Sequence, residues 1–202
     1  MKTYPSITKD IRNDIYIYAF DKLDGNNIRA EWNSKRGFYK FGSRTQLIDE
    51  SSKQLGKSIG LIHDKYEKDL SLVFNDNKWK DAICFFEYHG PNSFAGQHIE
   101  TEYQTVTLID VNPYKKGILE PKEFIKTFKH LDIPRVLYEG HVNSIFVDEV
   151  KQSTLDGMTY EGCVCKGIDK KQLVMFKIKS NAWLDKLKLF CNGDINLFAK
   201  LA

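Results

Sequence analysis

The chain has 202 residues, 42% of them hydrophobic, and its 30 basic and 27 acidic side chains leave a formal charge of +3. That is enough apolar material for a sizeable core without cross-links. The mild charge does not by itself announce nucleic-acid binding but permits a local basic groove. No window reaches the about 20 apolar residues of a membrane span, and Met1-Lys2-Thr3-Tyr4-Pro5 does not open a signal peptide, so a cytoplasmic protein without membrane contact is expected.

A polar lead-in over 1–14 precedes Ile15-Tyr16-Ile17-Tyr18-Ala19-Phe20, whose β-branched and aromatic residues predict a strand. Lys22-Leu23-Asp24-Gly25 then turns the chain, and Ile28-Arg29-Ala30-Glu31-Trp32 reads as the partner of a hairpin or sharp turn. A lysine held there between apolar strands is a plausible amine nucleophile if desolvation disfavours its charge. The plain alternative is a surface lysine beside a common Asp-Gly turn. A third short strand covers 37–44. Leu55, Ile59, Ile62, Tyr66 and Leu70 then recur at helical spacing and predict a helix from about Ile48 to Leu72, weakened by Gly56 and Gly60. A break at 74–79 is followed by a strand over 82–88 and a glycine-rich loop from His89 to Gly96. Further strands are expected at 105–111, 135–138, 161–166 and 173–179, with helices at 120–130, 143–155 and 181–190. The pattern is α+β with mostly antiparallel sheets flanked by helices.

Four cysteines, Cys84, Cys163, Cys165 and Cys191, lie in or beside apolar stretches without a Cys-x-x-Cys pair, so reduced thiols are expected. For Cys163 and Cys165, alternation in a core strand is favoured over a metal pair. Charges at strand ends are more telling. Glu87 closes an apolar strand, where a carboxylate needs a partner, and Lys177 and Lys179 share a face by the period of two. Glu161 and Lys166 have opposite parity, so both reach one cleft only if the strand bends near Gly162. Taken singly, these residues read as salt bridges or a solvated face. Together, lysines at several strand rims and two glutamates suggest cations for phosphates and carboxylates for Mg²⁺.

These residues resemble the motifs of the covalent nucleotidyltransferases: ATP-dependent DNA ligases, RNA ligases and mRNA capping enzymes. Lys22-Leu23-Asp24-Gly25 is similar to the nucleotidyl-lysine motif Lys-x-Asp-Gly, and Ser43-Arg44 to the arginine motif after it. Phe86-Glu87-Tyr88-His89-Gly90 resembles the third motif, and Leu108-Ile109-Asp110 falls where a further one ends. Glu161-Gly162-Cys163-Val164-Cys165-Lys166 matches Glu-Gly-x-Val-x-Lys, and Lys177-Ile178-Lys179 the closing Lys-x-Lys. The series spans Lys22 to Lys179 in the family's order. Lys22, Gly25 and Asn27, then Glu87, Gly90 and Pro91, and the opening Tyr4-Pro5-Ser6-Ile7, look most like RNA ligases of the phage and kinetoplastid RNA-editing type. Asp24 stands where that group often has histidine. Val106, Leu108 and Ile109 occupy the strand that usually supplies an aromatic for adenine.

The resemblance implies a nucleotidyltransferase fold (the ATP-grasp-like adenylation domain of DNA and RNA ligases) over 1–202, without an OB-fold or a C-terminal helical domain. It implies ATP and Mg²⁺, with Mn²⁺ as a substitute, and a lysyl-AMP intermediate on Lys22. Lys166, Lys177 and Lys179 would serve catalysis and the phosphates. Asp24, Gly25, Asn27, Arg44, Glu87 and Glu161 would bind the nucleotide, with Glu87 and Glu161 arranging the metal. The implied partners are RNA ends, nicked or paired, met by a monomer with weak, salt-sensitive binding or by a separate end-binding partner; for a phage-encoded chain the location is the host cytoplasm. A minimal DNA ligase core, an RNA-capping guanylyltransferase and an end-binding module without catalysis are the alternatives.

Overall fold

The computed structural model describes residues 2–91 and 102–202; of the glycine-rich loop expected from His89 to Gly96, residues 92–96 lie outside them. Nine strands among the described residues run in chain order as β1 Tyr16–Asp21, β2 Gly25–Asn33, β3 Gly37–Ser43, β4 Leu47–Ile48, β5 Asp81–His89, β6 Thr105–Pro113, β7 Val136–His141, β8 Gly162–Asp169 and β9 Gln172–Lys179. They form two antiparallel sheets, ordered β4-β3-β2-β5-β6 and β7-β1-β8-β9. The chain divides into two compact units: residues 2–6, 25–91 and 102–133 carry the first sheet, and residues 7–24 and 134–202 the second.

In the first unit one sheet face is apolar by alternation. Ile28, Ala30 and Trp32 of β2, Cys84 and Phe86 of β5 and Leu108 of β6 are all buried. They meet a helical segment built from α1 Lys57–Ile62, a π-helical turn at His63–Glu67 and α2 Lys68–Asp76. Trp32 packs edge-on against Phe74 at 5.0 Å between ring centroids, and Tyr66 against Phe86 at 5.1 Å. Each such buried aromatic contributes roughly 1.5–3 kcal/mol. The expected stripe of Ile59, Ile62, Tyr66 and Leu70 is buried, but the helix starts nine residues later than the periodicity suggests. Leu47 and Ile48 instead pair with β3. Asp49 then accepts hydrogen bonds from Ser51 N (3.0 Å) and Ser51 Oγ (2.6 Å), a local side-chain turn that competes with helix formation.

The second unit buries Ile17, Ala19, Cys163, Cys165, Phe176 and Ile178 on one sheet face with Phe146 and Val150. Those last two lie on α4 Ser144–Gln152, which follows α3 Pro121–Phe128 of the first unit and is capped by Asn143, whose Oδ1 accepts from Phe146 N at 2.9 Å. All four cysteines are buried free thiols, as their apolar surroundings suggest. The expected helix at 181–190 is α5 Asn181–Cys191, and a further helix, α6 Ile195–Leu201, follows it. No helix among the described residues is long and apolar enough to cross a membrane.

The hairpin expected between β1 and β2 does not form. β1 is bonded on its two sides by β7 and β8, and β2 by β3 and β5, so neither has an edge left for the other. Lys22 to Asp24 is therefore a passage from one sheet to the other, anchored where Lys22 N donates to Gly162 O at 3.0 Å.

Candidate active site

The site in the second unit follows from strand register. Tyr18 lies opposite Lys166, Phe20 opposite Val164, Val164 opposite Lys177 and Gly162 opposite Lys179. Facing residues of an antiparallel pair share a sheet face, so Lys166, Lys177 and Lys179 stand on the face opposite the Cys163 and Cys165 core. The alternation of β1 carries Lys22 to the same side. Glu161 has the wrong parity, and the predicted bend at Gly162 corrects it: φ there is +128°, and a Cβ would lie 2.1 Å from Ile178 O. Only glycine adopts this backbone without strain.

Glu161 Oε2 lies 2.7 Å from Lys22 Nζ, and its Oε1 lies 3.1 Å from Lys179 Nζ. The carboxylate is almost completely enclosed, whereas Lys22 keeps 19% of its side-chain surface. Lys179 sits over the Trp183 ring at 3.4 Å from its centroid, a cation–π contact. Trp183 is placed by Ser180, whose Oγ accepts from Trp183 N at 3.1 Å. Lys166 is buried, 4.7 Å from the Phe20 centroid. Burial pushes the Lys179 ammonium down to about 8; Glu161 opposes this, while Lys22 and Lys177 add to it. One carboxylate is thus set among several ammonium groups that repel one another. Trp183 was missed in the sequence, although its place four residues after Lys179 was a signal. Lys186 and Lys188 are exposed on α5.

Asp24, also in the second unit, is half-buried. Gly25, Asn27, Arg44 and Glu87 belong to the first unit. Asn27 and Glu87 face each other across β2 and β5, with Thr107 of β6 opposite Glu87. Asn27 Nδ2 donates to Phe86 O at 3.4 Å, while its buried Oδ1 has no hydrogen-bond partner. A Cβ at Gly25 would lie 2.3 Å from Tyr88 O, which fixes the residue type by close approach. Arg44 is exposed just after β3 and donates to Ser6 Oγ at 2.9 Å. The lead-in has a definite place that periodicity does not reveal: the Tyr4 hydroxyl donates to Asp110, and its ring lies 4.9 Å from that of Phe85. Burial, then Asp110 and Glu87, push this phenol well above its ordinary range.

Among the described residues no group of three or more His, Cys, Asp or Glu side chains is gathered to hold a metal. The orphaned Asn27 oxygen opposite Glu87 is nevertheless an all-oxygen pair. It suits a hard cation that takes its other ligands from water and phosphate.

The molecule is thus a mixed α/β protein on two antiparallel sheets, with lysines gathered along one sheet face. Solved structures share this fold. A mutant of Naegleria gruberi RNA ligase with ATP and Mn matches at 16% identity and a TM-score of 0.62, over 91% of this chain and 59% of that one. The Naegleria gruberi RNA ligase with PPi matches at 17% identity and 0.64, over 87% and 52%. A mutant with AMP and Mn matches at 16% and 0.59, over 91% and 59%. The chain spans little more than half the length of these ligase chains, and the likeness read in its motifs holds at the level of the fold. No protein-family model and no curated protein matches the sequence.

Proposed function

We propose that the chain is the adenylation domain of an ATP-dependent RNA ligase, with the nucleotidyltransferase fold. The observation that carries this reading is the Lys22–Glu161–Lys179 cluster, in which a lysine at a strand end is held by a buried carboxylate beside further cations. In the reaction, unprotonated Lys22 Nζ attacks the α-phosphorus of ATP. A nitrogen–phosphorus bond forms, the bond to the bridging oxygen breaks, and pyrophosphate leaves. Glu161 Oε2, at 2.7 Å, is placed to take the proton that Lys22 must lose. Lys177 and Lys179 meet the negative charge on the α-phosphate, with Lys166 behind them. Fixed cations lower such a barrier more than they tighten ground-state binding.

Glu87 with Asn27 beside it would hold Mg²⁺, or Mn²⁺ in its place, which when bound supplies positive charge along the phosphates. Asp24, two residues after Lys22, would contact the nucleotide within the same unit. AMP then passes from Lys22 to the 5′-phosphate of an RNA end, and a 3′-OH displaces it to seal the strand. Fold likeness to ligases solved with ATP, AMP and Mn supports ATP as the donor.

The test is intact-protein mass spectrometry after incubation with ATP and Mg²⁺, followed by sealing of matched nicked duplexes with RNA or DNA on the 3′-OH side. One added adenylate on Lys22 and faster sealing of RNA is the expected result. Equal sealing of DNA would favour a DNA ligase, and an unmodified protein would overturn the reading.

A further inference from the structure

The lysines that the proposed reaction assigns to phosphate are already holding part of the chain. Lys177 Nζ donates to Ala202 O at 3.2 Å, and Lys179 Nζ to Leu201 O at 3.2 Å. Lys9 Nζ donates to Ala199 O at 3.3 Å. These three carbonyls belong to the last turn of α6 and the residue after it, where a helix leaves its carbonyl groups unsatisfied and its dipole is negative. The end of α6 therefore sits on the two lysines as a weak anion would.

The helix is also poorly anchored. It has seven residues and none of them is buried. Leu197, Phe198 and Ala202 are only half-covered, against Trp183, Leu187 and Cys191, while Ile195 is 81% exposed. A helix this short is marginal without packing, and elements with few buried contacts open first. Lys179 does not depend on α6 for its place, because Glu161 and the face of Trp183 hold it from other sides.

We propose that α6 is an internal plug on the phosphate site: its carboxy-terminal carbonyls occupy Lys177 and Lys179, and a polyphosphate must displace them to bind. The proposal rests on reading these lysines as phosphate-holding groups. A phosphate chain competes because it brings several charged oxygens to the two ammonium groups at once. The released helix returns when the polyanion leaves, so the site alternates between two sets of acceptors.

The experiment uses the full chain and inorganic tripolyphosphate, which has no base or sugar to bring other residues into play. Binding is measured by calorimetry, and amide hydrogen exchange of 195–201 is followed with and without the ligand, with sodium chloride at matched ionic strength as control. Faster exchange in α6 on tripolyphosphate binding, and not with chloride, is the expected result. Ala199→Pro, which breaks the helix where nothing is buried, should bind tripolyphosphate about tenfold more tightly than the unaltered chain. Binding that is lost in Lys177→Ala but leaves α6 exchange unchanged, or equal affinity in Ala199→Pro, overturns the plug while leaving the phosphate site standing. Absence of tripolyphosphate binding in both proteins overturns the plug together with the phosphate reading of the lysines.

Discussion

Lys22 and Glu161, 139 positions apart in the chain, meet at 2.7 Å, with the carboxylate almost fully enclosed and the lysine still reachable from solvent. Lys22→Ala and Lys22→Arg should both abolish covalent AMP labelling while leaving thermal unfolding close to that of the parent. Glu161→Gln removes the shared negative charge and the proposed proton acceptor, and should slow labelling by about a hundredfold. Labelling with α-labelled ATP decides both, and a Lys22→Ala protein labelled at parental level would remove Lys22 from the chemistry.

Lys179 supplies a pH signature. Its ammonium, pushed down to about 8 chiefly by burial, is charged below that value and neutral above it. If its charge faces the α-phosphate, lysyl-AMP formation falls as pH rises through about 8. An unburied lysine would produce that limb only near its ordinary 10.5. Lys179→Arg keeps a permanent charge and should lose the falling limb, at a lower absolute rate. Single-turnover adenylation from about pH 6 to about pH 10 checks this. A flat profile in the parent above pH 8 would show that the charge on Lys179 is not used.

How much of this was legible in the sequence depends on the range of the interaction. The alternation in β1, β8 and β9 told which residues share a face, and the bend at Gly162 was deducible because Glu161 and Lys166 otherwise disagree in parity. Strand partners were not legible: residues 15–32 read as a hairpin, but the Asp-Gly turn signal is silent on whether flanking strands have better partners elsewhere. The start of the helical segment was obscured because Asp49 and its serines offer the backbone a local alternative. The ion pairs of Glu161 and the seat of Tyr4 on Asp110 depend on packing between distant segments, which no periodicity encodes.

Gly162 offers a test of the bend. With φ at +128° and Ile178 O at 2.1 Å from a Cβ, Gly162→Ala must move backbone against backbone. It should cost about 1–3 kcal/mol of stability and misdirect Glu161, so adenylation falls by more than the loss of folded protein explains. Gly60→Ala is the matched control. Gly60 lies within α1 with nothing inside 4 Å of a Cβ, so this change should stabilise by about 0.5–1 kcal/mol. Denaturant melts of the two variants should move in opposite directions, and a Gly162→Ala protein as stable and active as the parent would deny the bend its role.

Asp21, one residue before Lys22, points to the other sheet face and is buried. Its Oδ1 accepts from Thr159 N at 3.0 Å and from Thr159 Oγ1 at 3.1 Å. Burial nevertheless raises its carboxyl above the ordinary 3.8, and the Thr159 bonds and Arg135 offset this only in part. Because the folded state holds the proton more tightly than the unfolded one, stability falls as pH climbs from about 3.8 through the raised value, and the whole cost persists at neutral pH. Both Thr159 bonds end on a single oxygen, which an amide carbonyl reproduces, so Asp21→Asn keeps them and removes the buried charge. We expect Asp21→Asn to raise the melting temperature at pH 7. The advantage should shrink as pH is lowered through the raised value and vanish well below 3.8, where the parent carboxyl is protonated in both states. Calorimetric melts at several pH values measure it, and an Asp21→Asn protein destabilised equally at every pH would mean that the carboxylate form is what the fold requires.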